Sequence, residues 1–459
     1  MTISQIVWAV VKIAIMIGFV LNLAAILTWA DRRQSSLIQD RIGPSRAVIT
    51  LFGREFRLAG LLHPLADGLK FFTKEDFMPQ RADKLLFSIA PMLAMGMVFT
   101  LVTTIPFGDT ICPHQFRVLW PNIFVGPAVE RWGTCSADPA HGIFPIDLMV
   151  APLGIGLLFV FAMSGQGVIA AALAGYSSDN KFSLMGALRA ASQMVSYEVT
   201  IGMSLVGAMM VYGTVRLDDM VRWQQDHAWG IVVQPIAFIL FFAASVAENK
   251  RIPFDIPEAE SELVSGYFTE YAGMKFGMFY FAEYAEVVTG SMLLVTMFLG
   301  GWALPFFHRD GLTIQVGDWI LCRWLIPHVW MTLLGVATFF GKVIVVCALQ
   351  VFVRWSLPRL RYDQLMKLGW RYILPASFAN IVATGVVVLG LDALGPSVAR
   401  ALSVAADVSQ AIVALSVTVI AVRMFIGFFG QIRRTPVILG SSASRIGKRG
   451  RTESLPMQA

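Results

Sequence analysis

Eight carboxylates lie close together between Glu248 and Glu286, in the segment ENKRIPFDIPEAESELVSGYFTEYAGMKFGMFYFAEYAE. The whole chain has 30 Asp and Glu residues, so more than a quarter of them fall within these 39 positions. Carboxyl groups so close together disfavour each other's ionisation, so some of them can hold or pass a proton near neutral pH. The alternative is a solvated acidic loop at a helix N-terminus, where acids suit the helix dipole.

The first part of this segment predicts an irregular turn, because Pro253 and Pro257 break any helix there. A helix can begin near Pro257, since proline suits the first helical turn. Glu258 and Glu262 would then lie four positions apart on one face, with Glu260 turned away from them.

The other four acids of the segment lie at the ends of apolar runs or inside them. Glu248 ends one apolar run, Glu270 begins the next, and Glu283 and Glu286 lie inside it. A charged side chain at the bilayer centre costs about 2.5–3.5 kcal/mol on insertion scales, so such residues usually face a polar interior and serve a function. These acids therefore predict a series of carboxylates that leads from the loop into the membrane.

Two further charged residues lie inside other apolar runs. Glu198 follows Arg189 by nine positions, which places it about 13 Å along a helix and well inside the bilayer. It is either a further member of that series of acids or a structural glutamate that is hydrogen-bonded to Tyr or Ser. Lys342 is central in its run, with His328 nearer the outer end, and is either the partner of a buried acid or a proton carrier.

The composition indicates that lipid surrounds most of the chain. Of the 459 residues, 56% are hydrophobic and only 14% are charged, and the mean hydropathy is +0.66. A soluble domain carries about 25% charged residues. Backbone groups in lipid must bond internally, so the apolar runs are predicted to be helices. Nine spans are expected, at 3–29, 85–105, 146–173, 190–212, 230–247, 273–304, 326–353, 371–392 and 408–430.

The distribution of Lys and Arg sets the predicted orientation, with the N-terminus outside and the C-terminus in the cytoplasm. The inner segments then hold 26 of the 36 Lys and Arg residues and the outer loops hold 7. The same bias accounts for the pI of about 9.2, so binding to nucleic acid is not expected. The fold class is therefore an all-α polytopic membrane protein with about nine transmembrane helices.

Other sequence features exclude or leave open further chemistry. None of the four cysteines forms a CxxC pair, and no GxGxxG or Walker pattern occurs, so the chain is expected to carry no metal or redox cofactor of its own. Cys112 and Cys135 fall in the outer loop 106–145, where they either pair or remain free thiols. Arginines such as Arg41 and Arg46 in QDRIGPSR mark positive-inside topology or a docking surface for soluble subunits.

Five stretches together resemble one family. The acidic segment, QDRIGPSR, LLHPLADGLKFFTKED, KFSLMGALRAASQMVSYEV and VRWSLPRLRYDQLMKLGW are similar to the H-subunit family of proton-pumping NADH:quinone oxidoreductase, respiratory complex I, of the bacterial type. The similarity runs from about residue 5 to about residue 390. One departure is Asp31, where the family often has Glu.

The resemblance implies a membrane subunit that forms most of the membrane-side quinone chamber and couples quinone reduction to proton pumping. Residues that match the quinone chamber are Arg41, Arg46, Asp67, Arg251, Asp255, Glu258, Glu260 and Glu262. Residues that match the proton or charge relay are Glu198, Glu248, Glu270 and Glu283.

The resemblance also implies a setting in the bacterial cell inner membrane. Quinone is the substrate, and FMN, NAD and the iron–sulfur clusters are expected on partner subunits. These partners are the soluble quinone-site and terminal iron–sulfur subunits, small membrane subunits and antiporter-like subunits, with lipid around them. Residues 1–395 are expected to form the family's membrane domain, 396–430 an additional helix, and 431–459 a basic cytoplasmic tail.

Three alternatives from other classes remain. One is a membrane subunit of a related energy-converting hydrogenase, which uses no quinone, and the five motifs argue against it. Another is a stand-alone ion transporter, but no internal repeat of the kind that such folds often have is visible. The third is a purely structural anchor, which the buried acids disfavour.

Overall fold

The computed structural model describes most of the chain. The described residues are 3–111 without 42, 45–46, 52–53 and 57–59, then 146–257, 260–326 without 309–310 and 317–318, 328–393, and separate positions between 404 and 423. Cys112 and Cys135 and the basic tail 431–459 lie outside these residues.

Helices make up most of the described structure. They are α1 (Ile3–Ile38), α2 (His63–Thr73), α3 (Lys84–Val102), α4 (Gly156–Ser177), α5 (Lys181–Tyr212), α6 (Leu217–Asp226), α7 (Gly230–Val233), α8 (Pro235–Glu248), α9 (Glu260–Leu263), α10 (Gly273–Phe298), α11 (His328–Ser356), α12 (Tyr362–Lys367) and α13 (Leu374–Ala393). A π-helical turn, Leu368–Ile373, joins α12 to α13.

The predicted class, a helical multi-pass membrane protein, is confirmed. Seven of the described helical segments are long and apolar enough to cross a membrane, and α8 is a shorter apolar helix of 14 residues. Eight of the predicted spans fall on these helices. The ninth, 408–430, lies mostly outside the described residues, so the number of spans and the side of each terminus stay predictions.

Local chemistry explains where several helices begin and end. Asp83 precedes α3 and accepts hydrogen bonds from the backbone N–H groups of Leu85 and Leu86, which have no partner inside the helix. Asn180 does the same for α5 through Phe182. At the other end of α5, Gly213 has φ of 66°, a left-handed conformation that glycine adopts without strain.

Two small antiparallel sheets lie outside the apolar spans. Strands β1 (Ile49–Leu51) and β2 (Arg54–Phe56) form a hairpin between α1 and α2. Strands β3 (Phe307–His308), β4 (Gly311–Val316) and β5 (Trp319–Leu325) form a three-stranded sheet before α11. Neither sheet was expected from the sequence, because hydropathy identifies these segments only as loops.

Helix α2, between the first two predicted spans, is amphipathic. Its long apolar side chains Leu65, Leu69 and Phe72 are exposed, while Phe71 packs against the protein. Such a helix suits the membrane surface, where one face meets lipid.

The centre of the bundle is α10. Nearly all of its residues from Phe279 to Phe298 are buried, on every face of the helix, whereas the other spans bury one side. It packs against α1, α3, α8 and α11. The acids that sequence analysis placed in this span are therefore enclosed by protein, as an ionisable group at this depth requires.

Lys342 pairs with no acid among the described residues, and the other role that the sequence left open, a proton carrier, stays a prediction. Its Nζ donates to the carbonyl oxygens of Leu299 at 2.7 Å, Gly301 at 3.0 Å and Ala303 at 2.7 Å, and lies 4.2 Å from the centre of the Trp229 ring. These carbonyls follow the C-terminus of α10, where a cation stabilises the helix dipole. Lys342 on α11 thus holds the end of α10.

Replacing Lys342 by methionine is expected to destabilise the protein by about 3 kcal/mol, because charged hydrogen bonds are lost and carbonyls lose their partner. Thermal unfolding of the purified protein measures the effect. Lys367→Met, at an exposed lysine of α12, is the control and should stay within about 0.5 kcal/mol of the wild type. Equal unfolding midpoints for the two variants would contradict the assigned role.

Candidate functional site

The site lies where α1, α8, α10 and α11 meet the acidic loop 249–272. Loop residues 251–257 are irregular, as the two prolines predict. Because this turn is packed inward, it buries Asn249, Lys250 and Arg251, each less than a tenth exposed. Two cations therefore enter the protein directly beside the acids of α10.

Arg251 connects two carboxylates from distant parts of the chain. Its Nη1 is 3.5 Å from Asp31 Oδ2 on α1, and its Nε is 3.2 Å from Glu283 Oε1 on α10. Its guanidinium also lies 3.8 Å from the centre of the Tyr284 ring. Asp31 in addition accepts a hydrogen bond from Tyr284 at 2.8 Å and pairs with Arg354 of α11. The result is a buried network of two acids and two arginines.

Several polar atoms of this network have no hydrogen-bond partner among the described residues. They include Asp31 Oδ1, Arg251 Nη2 and Arg354 Nε. The three residues line a cavity of about 20 Å³ together with Asn249, Tyr284 and Gln350. Buried polar atoms are rarely left without a partner, so this cavity is suited to a polar ligand group or to water.

Lys250 forms the second ion pair of the site. Its Nζ is 3.5 Å from Glu286 Oε2, and both side chains are about nine-tenths buried. Burial alone would lower the pKa of Lys250, but Glu286, Tyr267 and Glu283 together outweigh it and raise the pKa. The lysine is therefore cationic at neutral pH, and it places a positive charge beside the acids of α10.

A larger cavity lies on the other side of Glu286. It measures about 50 Å³ and is lined by Glu198 of α5, Glu248 of α8 and Glu286 of α10. A water molecule needs about 10–15 Å³ on this scale, so the cavity has room for three or more. Glu198 also accepts a hydrogen bond of 2.7 Å from Ser164. Three acids from three helices thus face one space that can hold water.

A smaller cavity joins the two ion pairs. It measures about 20 Å³, and Lys250, Tyr267, Glu283 and Glu286 contribute to its lining. Because Glu286 borders both this cavity and the larger one, the acids form a series from Asp31 and Glu283 through Glu286 to Glu248 and Glu198. Within the described residues, no three His, Cys, Asp or Glu side chains are grouped as metal ligands.

Comparison with known proteins identifies the family of this chain. A model of the family described as NADH dehydrogenase matches residues 11–385. The chain belongs to the NADH dehydrogenase family.

The first of the NADH-quinone oxidoreductase H subunits of Cytophaga hutchinsonii is 38% identical over 369 residues, which cover 80% of this chain and 93% of the relative. The H subunit of Flavobacterium johnsoniae is 37% identical over 385 residues, covering 83% and 95%. The first H subunit of Geobacter metallireducens is 40% identical over 378 residues, covering 82% and 95%. The predicted similarity to the H-subunit family is confirmed.

The family range ends before the last predicted span. Residues 386–459 follow the matched range, and the division at 395 and 430 stays a prediction. The relay and quinone-chamber assignments of individual residues also stay predictions, which the geometry of each residue can support or weaken.

Asp255 is the loop acid whose surroundings are most unusual. It lies in the irregular turn, its Oδ1 is buried without a hydrogen-bond partner among the described residues, and its carbonyl oxygen accepts from Arg359. Burial raises the pKa of its carboxyl to about 6, although Arg359 opposes the shift. The sequence suggested such a shift from crowded carboxylates, whereas here desolvation is its main cause.

The stability of the protein is expected to fall as the pH rises through about 6, because of Asp255. Its folded pKa of about 6 exceeds the ordinary value of 3.8, so the folded protein binds the proton more tightly than the unfolded chain. The shift corresponds to about 3 kcal/mol. Asp255→Asn cannot ionise, so its unfolding midpoint relative to the wild type should be higher at pH 8 than at pH 5. The exposed control Asp226→Asn should show no such change, and an offset for Asp255→Asn that does not depend on pH would contradict the prediction.

The acids that follow Asp255 lie elsewhere. Glu262 is exposed and pairs with Arg189 of α5 at 2.7 Å, and this hydrogen bond lowers the pKa of its carboxyl. Repulsion between neighbouring carboxylates therefore does not determine the pKa of the Glu262 carboxyl. Helix α9 begins at Glu260, whose side chain is outside the described part of the chain, as is the whole of Glu258.

Other predicted residues lie apart from the buried network. Asp67 of α2 pairs with Arg32 at 2.6 Å and lies 3.8 Å from Lys70. Arg41 is exposed at the turn after α1, and Arg46 falls outside the described residues. Glu270 accepts a hydrogen bond of 2.7 Å from Asn180, at the start of α5. Glu270 therefore does not line the three cavities described above, although sequence analysis placed it in the relay.

Some residues at the centre of the site were not among the predicted site residues. Lys250 and Arg354 were not selected, and Asp31 was noted only as a departure from the family. Glu286 was placed in the predicted series of buried acids but not among the residues that match the family's relay. A signal existed for Glu286, which lies three positions after Glu283 in the same apolar run. No local pattern joins Asp31 to Arg354, because 323 positions separate them.

Proposed function

We propose that this chain is the H subunit of a proton-translocating NADH:quinone oxidoreductase in the bacterial inner membrane. Its family membership and its helical multi-pass structure support this assignment. NADH is oxidised on partner subunits that carry FMN and iron–sulfur clusters, and this chain supplies the membrane side of the quinone chamber. Its other neighbours are small membrane subunits and antiporter-like subunits.

Quinone enters beside the acidic loop in this proposal. Arg251, Asp255 and the cavity lined by Asp31 and Arg354 bound the inner part of the chamber. Arg41, Asp67 and Glu262 lie nearer the surface and face the soluble subunits in this proposal, and Arg46, Glu258 and Glu260 are assigned to the chamber by the family resemblance alone. Support comes from the donors and acceptors around that cavity that have no partner among the described residues.

Reduction of a quinone to a quinol takes up two electrons from a partner subunit and two protons. Groups beside the loop that give up these protons become more negative by one charge each until they are reprotonated. Arg251 and Lys250 respond directly, because they pair with Glu283 and Glu286. A change in either pair alters the field at Glu286, and protons then move through water between Glu286, Glu248 and Glu198. The observation that carries this mechanism is the single cavity that these three acids share.

The relay proposed here differs from the one that the family resemblance implies. Glu198, Glu248 and Glu283 remain in it, and Glu286 joins them. Glu270 lies at the edge of the proposed relay, because its carboxylate accepts a hydrogen bond from Asn180. The loop acid Glu262 acts at the chamber mouth, where it pairs with Arg189, and Glu260 is assigned to the chamber by the family resemblance alone.

Purification of the complex through an affinity tag on this chain tests the assignment. After reconstitution in liposomes, the complex should reduce quinone with NADH in an inhibitor-sensitive reaction and acidify one side of the membrane. The purified chain alone should conduct no ions. Ion flux through the lone chain, without NADH:quinone activity in the complex, would favour a stand-alone transporter.

A photoreactive quinone tests the location of the chamber. Illumination of the complex should label peptides that contain Asp31 or residues 249–257, and excess unlabelled quinone should prevent the labelling. Labelling confined to partner subunits would remove this chain from the chamber but would leave its membership of the complex intact.

A further inference from the structure

Two of the cavities at the site meet at one side chain. The first, called the chamber-side cavity from here on, is lined by Asp31, Arg251 and Arg354. The second, called the relay cavity, is lined by the acids of α5, α8 and α10. Asn249 contributes to the lining of both, and no other described residue does. The wall between the two cavities therefore includes the Asn249 side chain.

The position of the Asn249 amide follows from two distances. Its Nδ2 donates to Gln350 Oε1 at 3.4 Å, and Gln350 belongs to the chamber-side cavity. On the other side, a Cβ atom built on Gly290 would lie 3.9 Å from the same Nδ2, and Gly290 belongs to the relay cavity. The amide nitrogen therefore lies beside lining residues of both cavities.

Gln350 is held more firmly than Asn249. Its Nε2 donates to Ser291 Oγ at 3.2 Å, and Ser291 donates in turn to the carbonyl oxygen of Val287 at 2.7 Å. The bond from Asn249 to Gln350, at 3.4 Å, is longer than the usual range of about 2.7–3.2 Å for N–H···O bonds. Such a long bond is weak, so a water molecule can replace it at little cost in free energy.

The Asn249 amide can bind water in either cavity. It is a neutral group with N–H donors and a carbonyl acceptor, and the side chain is 3% exposed. The chamber-side cavity has room for about one water molecule and the relay cavity for about three. Val246 and Val287, which also line the chamber-side cavity, offer no side-chain donor or acceptor.

Charged groups line both cavities. On the chamber side, Asp31 Oδ1 and Arg354 Nε are buried without a hydrogen-bond partner among the described residues. Glu198 and Glu248 line the relay cavity. Water bound to the amide between them completes a series of hydrogen-bonding groups from one set to the other. The ion pair of Lys250 need not open for this series to form.

We propose that Asn249 is a positioning residue that orients water between the chamber-side cavity and the relay cavity, so that a proton passes directly from one to the other. This inference rests on the proposed function and adds a second route to the one through Glu283 and Glu286. A chamber-side group that gives its proton to the quinol is reprotonated from Glu248 through this water. Glu248 is then more negative by one charge until the relay returns a proton, and the amide stays neutral throughout.

Asn249→Leu tests this route in the purified complex in liposomes. Leucine has a similar size but cannot orient water. The kcat of NADH:quinone reduction should fall about fivefold, less than the roughly 10²-fold for a lost proton-transferring side chain, because the route through Glu286 remains. The KM for quinone should change little. The solvent isotope effect, which is the ratio of the rates in H₂O and D₂O, should rise, because proton transfer then limits the rate.

Two further variants separate the passage of water from a structural role. Asn249→Ser is too short to keep the bond to Gln350 but leaves a hydroxyl and room for water, so its kcat and isotope effect should stay near those of the wild type. Asn22→Leu makes the same amide-to-apolar change at an exposed position of α1 and should match the wild type. Equal losses in Asn249→Ser and Asn249→Leu, or a lower kcat with an unchanged isotope effect, would overturn the proposal.

Gly290→Ala tests the same passage without changing Asn249. The added methyl group would lie 3.1 Å from Ser245 Oγ and 3.9 Å from Asn249 Nδ2, so it narrows the relay cavity at the wall. Alanine is a better helix former than glycine, so α10 should stay folded. A lower kcat with a larger isotope effect is expected here too. If Asn249→Leu does not assemble, wild-type values in Gly290→Ala would overturn the proposal.

The same measurements distinguish failure of this inference from failure of the proposed function. If the wild-type complex reduces quinone with NADH and Asn249→Leu equals it in kcat and in isotope effect, the route past Asn249 is wrong and the proposed function stands. A wild-type complex without NADH:quinone activity would remove the proposed function and this inference with it.

Discussion

Glu248→Gln is expected to lower quinone reduction and proton pumping by about 10²-fold, the lower end of the range for lost proton transfer by a side chain. Glutamine fills the same space at the shared cavity but cannot release a proton. Electron transfer from NADH to an artificial acceptor should persist, because it does not use this chain. Steady-state rates and acidification of liposomes containing the complex measure both quantities.

Two controls accompany this variant. Glu248→Asp keeps the carboxyl on a shorter stem and should retain part of the activity. Asp226→Asn makes the same acid-to-amide change at an exposed position of α6 and should pump at the wild-type rate. Wild-type pumping by Glu248→Gln would show that protons do not pass through this residue, whichever complex contains the chain.

Arg251→Met is expected to destabilise the protein by about 3–5 kcal/mol, the cost of leaving a buried charge without its partner. Glu283 loses its one described cationic partner within 4 Å, while Asp31 keeps Arg354 and Tyr284. The amount of assembled complex in membranes and its thermal midpoint measure the loss. Arg251→Lys retains the charge and should cost less.

A double variant separates charge imbalance from a simple loss of packing. Arg251→Met combined with Glu283→Gln removes both charges of the pair, so it should recover part of the stability lost in the single variant. Strictly additive losses in this double-mutant cycle would contradict a direct interaction between Arg251 and Glu283.

The sequence predicted the segments that carry the functional side chains. It did not predict which of these side chains contact each other. Hydropathy and charge located α10 and its acids, and helix geometry placed Glu198 inside the membrane. The shared cavity of Glu198 and Glu248 depends on how α5, α8 and α10 pack, which no periodicity encodes. The same limit applies to Asp31 and Arg354, which meet across most of the chain length.

Two individual residues illustrate the limit further. Lys342 looked like a functional charge by its position, but the irregular backbone after α10 supplies three carbonyl partners that hydropathy cannot reveal. Glu262 looked like one of a set of crowded carboxylates, but Arg189 of α5 neutralises it. In both cases the deciding contact comes from an element distant in sequence.

The contacts at the two ends of α10 limit how a signal can travel along it. Lys342 donates hydrogen bonds to the backbone beyond the C-terminus of α10. Arg251 and Lys250 form ion pairs with Glu283 and Glu286 of the helix itself. A helix held in this way, with nearly all of its second half buried, cannot slide like a piston without breaking both sets of contacts. In the proposed mechanism, a change of charge at the loop would therefore reach the membrane interior as a rearrangement of side chains, water and protons around a helix that stays in place.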